Sequence, residues 1–137
     1  MADNSWVNSI GDKIFTIIKA KTFKIIKADF PKVRYTQNDE NIEPVVAFPT
    51  ILIQLPSNIP SFNDLEKDRI DDSVCTFLVR VTVNTQKSDA LKIANQIMEA
   101  FISLNFDIVS APITSSNGSV HIANARYRRK ICYDDKI

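Results

Sequence analysis

Apolar residues recur at helical spacing from the start of the chain. Trp6, Val7, Ile10, Ile14, Ile17 and Ile18 fall three or four positions apart, the period of one buried helix face. Asn4 or Ser5 supplies a cap. Phe23, Ile25 and Ile26 extend the apolar pattern, with a break expected near Lys21. Lys13, Lys19, Lys21, Lys24 and Lys27 fall mostly on the wet faces. Pro31 ends the helix, because the residue before a proline avoids the α region.

Strand signals follow. Val33–Thr36 reads as a short strand and 37–44 as a polar, acidic loop. The β-rich run 48–55 reads as a central strand, closed by Pro56 and Pro60. Residues 56–73 read as a long charged loop or arm. Val74–Asn84 alternates: Cys75, Phe77, Val79, Val81 and Val83 face one way. Thr76, Arg80, Thr82 and Asn84 face the other, with Leu78 their one apolar companion.

Thr85–Lys87 is a turn, and Ser88 is expected to cap a second helix, with Asp89 in its first turn. Ala90, Leu91, Ala94, Ile97, Met98, Phe101 and Ile102 make its expected buried stripe. Asn105 stands where a left-handed C′ residue ends a helix. Residues 106–109 lead into another strand, expected to break at Pro112. Residues 114–119 form a turn around Asn117-Gly118, a hairpin signal. Val120–Ile131 is the last long strand, and residues after Cys132 read as a tail. Together the elements predict an α+β fold: a small mixed or antiparallel sheet against two main helices. It fills a single domain over 1–137, with flexible tails at 1–4 and 133–137.

The 137 residues suffice for a real core. No apolar run approaches the roughly 18–20 residues of a membrane span. Met1–Ser5 lacks the regions of a signal peptide, so the chain is expected in the cytosol when made, away from membranes. Charge is segregated along the sequence. Residues 1–34 hold seven Lys/Arg against three Asp/Glu. Residues 35–73 hold two against eight, and 74–137 hold eight against five. A nucleic-acid binder carries a net basic domain, whereas this chain has a net charge of +1. An acidic middle between basic ends suits contact between copies.

The search for chemistry is mostly negative. Two glycines, Gly11 and Gly118, cannot build a phosphate loop or dinucleotide fingerprint. His121 is the one histidine, with no evident carboxylate or nucleophile partner in sequence. Cys75 and Cys132 read as reduced strand thiols, although neighbouring strands leave a disulfide open. With His121 they have no metal-ligand spacing. Asp64, Glu66, Asp68, Asp71 and Asp72 lack the ordered spacing and glycine of a calcium loop. No cofactor or metal is expected, and no enzyme. In a strand Arg126, Arg128 and Lys130 share one face, while Tyr127, Arg129 and Ile131 share the other.

One ordered pattern goes further. Phe77–Thr85 is followed by Lys87-Ser88-Asp89-Ala90, then Ile93-Ala94, Ile97-Met98 and Leu104-Asn105-Phe106. Phe30-Pro31-Lys32-Val33 and Phe48-Pro49-Thr50-Ile51 stand upstream, and Ala125-Arg126-Tyr127 downstream. This order over roughly residues 5–131 resembles the small tail terminator (tail completion) proteins of long-tailed phages and phage-derived particles. Asn105 departs from the family, which usually has glycine there. The loops 37–47 and 56–73 are not fixed by the resemblance.

The resemblance implies a structural virion protein of the tail and neck, assembled in the host cytoplasm. Such proteins form a ring, typically a hexamer, on the head-proximal end of the tail tube. The ring stops tube polymerisation and presents a head-joining surface. The implied partners are other copies of the chain, the tail tube protein and the head–tail connector protein. In a contractile tail they include the sheath protein. The expected subunit or tube interface comprises Asp64, Glu66, Asp68, Arg69, Asp71 and Asp72, with Arg126, Arg128 and Arg129 as basic counterparts. A head-side connector or stopper ring is the alternative within the same particle. A ferredoxin-like small-molecule-binding regulatory domain is the alternative from another class.

Overall fold

A computed structural model of the chain describes residues 6–37, 48–62 and 70–132. Helix α1 runs over Trp6–Asp29, followed by strands β1 (Arg34–Thr36), β2 (Thr50–Phe62) and β3 (Ile70–Val83). Helix α2 (Lys87–Ser103) then leads to β4 (Asp107–Asn117) and β5 (Val120–Cys132). The strands form one mixed sheet in the order β1-β2-β3-β5-β4. Among the described residues only the β1–β2 pair is parallel. The fold is α+β, as the hydrophobic pattern predicts. Its α-β-β-β-α-β-β order differs from the β-α-β-β-α-β of a ferredoxin-like domain, which corrects that layout for the regulatory-domain alternative.

Helix α1 passes Lys21 without a break. Its buried stripe is Ile10, Ile14, Ile18, Thr22 and Ile26, one residue every four. Ile25 is 55% exposed, because a four-residue repeat selects Thr22 and Ile26 at that turn. Buried Thr22 donates to the Ile18 carbonyl at 2.8 Å. Its single hydroxyl proton is spent there, so Tyr35 donates to Thr22 Oγ1 at 2.6 Å. That bond ties β1 to α1.

Both helices serve one face of the sheet. Ile51 and Ile53 of β2, Phe77, Val79 and Val81 of β3, and Ala123, Ala125 and Tyr127 of β5 are buried with the α1 stripe and with α2. From α2 come Ala90, Ile93, Ala94, Ile97, Ala100 and Phe101. Leu91 and Met98 are only half-buried and Ile102 is exposed, while Ile93 and Ala100, absent from the expected stripe, are buried. Phe77, Phe101, Phe106 and Tyr127 form one aromatic cluster. Phe101 stacks on Tyr127 with ring centroids 4.6 Å apart and meets Phe106 edge-on at 5.0 Å.

The prolines do not end strands as expected. Strand β2 continues through Pro56 and Pro60. Its register shifts between Gln54 and Ser57, so Leu55 and Pro56 occupy a bulge, where a missing N–H costs no ladder bond. Beyond the short β1, β2 is paired only with β3 among the described residues. Pro60 therefore lies on an edge. Edge strand β4 likewise passes Pro112, with Ala111 and Pro112 between the paired Ser110 and Ile113. The expected 56–73 loop is thus corrected: 56–62 and 70–73 belong to a long β2–β3 hairpin. The expected turn over 114–119 contracts to Gly118-Ser119, because Asn117 still pairs with Val120. Gly118 takes φ +65°, which suits glycine at the first position of a two-residue turn.

The start of α2 also differs. Gln86 is the N-cap and Ser88 lies inside the helix. Thr85 Oγ1 donates to Asp89 Oδ2 at 2.6 Å, fixing the first-turn carboxylate that favours a helix N-terminus.

Candidate functional site

Both helices lie on one side of the sheet, so no described helix covers the second face; Leu52 of β2, opposite Arg80, is buried on it, whereas the members from β3 and β5 are half-buried or exposed. Strand pairing assigns its members. Val74 pairs with Lys130, Thr76 with Arg128, Leu78 with Arg126, Arg80 with Asn124 and Thr82 with Ile122. Directly opposed residues point the same way, so these ten share one face. Arg126, Arg128 and Lys130 are exposed, and the β3 members are half-buried. On β4, Asp107 stands opposite Arg128, Ser110 opposite Arg126 and Ile113 opposite Asn124. Ile113 is 66% exposed.

The face is basic with an apolar floor. Arg126, Arg128 and Lys130 stand two residues apart along β5, about 7 Å per step. Arg80 Nε donates to Asn124 Oδ1 at 3.3 Å, which ties that side chain to β5. Among the described residues, neither Arg126 nor Arg128 has a side-chain hydrogen bond or ion pair. Two unpaired guanidinium forks suit carboxylates, which they bind bidentately.

The expected interface set divides. Arg126 and Arg128 lie together on the open face. Arg129 does not join them: it is half-buried on the helix side, and its Nη1 donates to the Leu104 carbonyl at 2.9 Å. The cause is period-2 alternation, which sends Arg129 the way of Tyr127 and Ile131. Arg129 therefore secures the end of α2. Asp71 and Asp72 belong to the first residues of β3, where Asp72 pairs with Cys132. Asp72 is four positions along β3 from the Arg128 partner Thr76. Asp64, Glu66, Asp68 and Arg69 lie outside the described residues. The acidic loop 38–44 and both tails do too. Arg80, Lys130 and the floor residues Val74, Leu78 and Ile122 were missing from the expected set. Their signal was parity with Arg126 in paired strands, which is invisible until the register is known.

The remaining candidates are quickly placed. His121 has a partner after all: Ser116 Oγ lies 2.7 Å from its Nδ1 across the β4–β5 hairpin. The pair is exposed at Ser116, and among the described residues no carboxylate bonds to the ring. Cys75 is a buried thiol paired in register with Arg129, three positions from the Asp72–Cys132 pair. Burial pushes its pKa up, against a small lowering by the Ser73 hydroxyl. A raised thiol pKa suits packing, not nucleophilic attack. Among the described residues no three His, Cys, Asp or Glu side chains cluster as a metal site. No described helix is long and apolar enough to cross a membrane. In comparisons with known proteins, no family model and no curated protein matches the chain.

Proposed function

We propose that the chain is a structural assembly protein: a ring-forming tail terminator of a phage or phage-like particle. In this role it caps the head-proximal end of a tail tube, ends tube growth and offers the head-joining surface. The observation that carries the reading is the open sheet face. One side of a five-stranded sheet is sealed by two helices. The other presents Arg126 and Arg128, without side-chain partners among the described residues, over half-buried apolar residues. Proteins bind such mixed surfaces, where apolar contact adds affinity and charge sets orientation and partner choice.

The mechanism is geometric. Contacts between different patches of identical subunits close a ring when the rotation per subunit permits. One face of that ring matches the last ring of the tube, and the other offers no site for a further tube subunit. The ordered sequence pattern supplies the particular biological setting.

The test is the solution mass of the purified chain, with negative-stain images of the same sample mixed with tail tubes. Rings that sit on one end of each tube are the expected result. A chain that neither forms rings nor touches tubes overturns the reading. Binding to portal or adaptor rings instead of tubes would move it to the head-side connector role.

A further inference from the structure

We infer that the outer edge of β4 pairs with β4 of a second copy of this chain, antiparallel, about a two-fold axis at Ser115. Among the described residues β4 pairs only with β5, at the end of the sheet. Such an edge offers a row of unpaired N–H and C=O groups, and proteins blunt it with charged side chains. Here the charges are placed the other way round. The inner strands carry Asp71, Asp72 and Arg80 on β3, and Arg126, Arg128, Arg129 and Lys130 on β5. Residues 108–119 hold no Lys, Arg, Asp or Glu. Of the five large apolar side chains exposed among the described residues, three, Ile108, Val109 and Ile113, lie on β4.

The charge pattern selects the occupant. Across a two-fold axis each strand meets its own sequence reversed. A charge near the axis would then meet its own sign, which destabilises the pair. A foreign strand imposes no such restriction, a second copy does, and residues 108–119 meet it. Backbone regularity sets the register. Ala111 and Pro112 fall in a bulge, whereas Ile113 to Asn117 pair with β5 residue by residue. An axis through Ser115 pairs the whole of that run with itself: Ile113 with Asn117, Thr114 with Ser116, and Ser115 with Ser115. Ile113 is 66% exposed and gains cover from Asn117 of the second copy.

The arginines do not oppose this contact. Arg126 lies four residues along β5 from Ile122, which stands opposite Ser115, or about 13 Å at ~3.3 Å per residue. The axis sends the two copies' Arg126 to opposite ends of the joined sheet, roughly 26 Å apart along the strands. That exceeds the screening length of about 8 Å at physiological salt. The pair uses up both β4 edges, so it closes at two copies. It leaves the Arg126–Arg128 surface free for other contacts and does not depend on the tail-terminator reading.

Cross-linking of the full chain tests the register. Directly opposed antiparallel residues have Cα atoms about 4.5–5.5 Å apart, within the span of a disulfide. Under mild air oxidation Ser115→Cys should give a disulfide-linked dimer. Asn117→Cys should not, because the two copies of that position lie about 13 Å apart. Wild type, with Cys75 and Cys132, sets the baseline. Sedimentation equilibrium tests the axis. Ser115→Lys and Ser115→Glu should each weaken dimerisation by roughly fivefold or more. An equal mixture of the two should recover most of the loss, since opposite charges then meet. Ser115 is exposed, so urea midpoints should be unchanged and folding failure is separable. Ile25→Lys, at an exposed apolar position on α1, should leave dimerisation as it was.

Wild-type chains that stay monomeric at the highest concentration they tolerate overturn the inference. So do Ser115→Cys chains that link no faster than Asn117→Cys chains, a mixture no better than either charged variant alone, or a larger effect from Ile25→Lys. Rings that form without the link at position 115 would sink the β4 pair alone. Linked dimers that neither form rings nor touch tubes would sink the terminator reading alone.

Discussion

Arg129 of β5 donates through Nη1 to the carbonyl oxygen of Leu104, the C-cap of α2, at 2.9 Å. The surrounding carbonyls are also engaged. Phe106 N–H reaches the Phe101 oxygen at 3.1 Å, and Asn105 N–H reaches the Ile102 oxygen at 2.9 Å. Ser103 Oγ donates to the Ala100 oxygen at 2.6 Å. A helix end otherwise leaves such groups without partners, and a cation there also meets the negative end of the helix dipole.

Arg129 should therefore behave as a stability residue and its neighbours should not. Arg129→Ala is expected to cost about 1–2 kcal/mol, the loss of a charge-assisted bond discounted for partial exposure. Arg126→Ala and Arg128→Ala should each stay within about 0.5 kcal/mol. Urea denaturation of the three variants decides it, and equal losses at all three positions would refute the division of roles.

Tyr127 is wholly buried, and its hydroxyl has no hydrogen-bond partner among the described residues. Removing that hydroxyl while keeping the ring on Phe101 should be neutral or stabilising, by up to about 1 kcal/mol. Phe101→Ala, by contrast, should cost about 3–5 kcal/mol through cavity formation. A thermal melt in which Tyr127→Phe is clearly less stable than wild type would mean that the hydroxyl is satisfied in solution.

Alkaline pH should destabilise the fold. Burial holds Tyr127 well above the ordinary tyrosine value of 10.0. It also raises Tyr35, against lowering by Thr22, and Cys75 above its ordinary 9.0. For a group whose folded pKa is raised, the unfolded chain loses its proton first. Stability is then full below the unfolded pKa and declines as pH climbs towards the folded one. The midpoint of urea unfolding should be level through neutral pH and fall above about pH 9–10. Tyr127→Phe should make that fall shallower. A flat profile to pH 11 would contradict these shifts.

Asn105 adopts φ 66°, in the left-handed region that L-residues enter at a cost. Asn105→Gly should relieve it and stabilise by about 0.5–1 kcal/mol, whereas Asn105→Val should destabilise by about 1–2 kcal/mol. Chemical denaturation of the pair would show it. The reverse order would mean that the Asn105 side chain holds the helix end by contacts of its own.

Much of this architecture was legible in the chain. The period of Ile10, Ile14 and Ile18 and the alternation from Cys75 to Val83 announced a helix and a half-covered strand. Asn105 before Phe106 announced the helix stop. These are local signals, carried by spacing and by backbone preference. The errors share a cause. Pro56, Pro60 and Pro112 read as strand ends, because their tolerance depends on a bulge or an unpaired edge that only strand order creates. Ser88 read as a cap because sequence cannot say which residue turns first.

The candidate site was legible only by halves. The sequence by itself determined that Arg126 and Arg128 point one way and Arg129 the other, since a pleated strand alternates regardless of context. It determined the acidic middle and basic ends as well. Only the tertiary structure decided which of those directions met α2 and which stayed open. That choice depends on both helices packing on the same sheet face. The register that joins Arg126 to Leu78 and Arg128 to Thr76 was likewise decided in three dimensions. It brings together residues about fifty positions apart, and no local preference encodes a pairing at that distance.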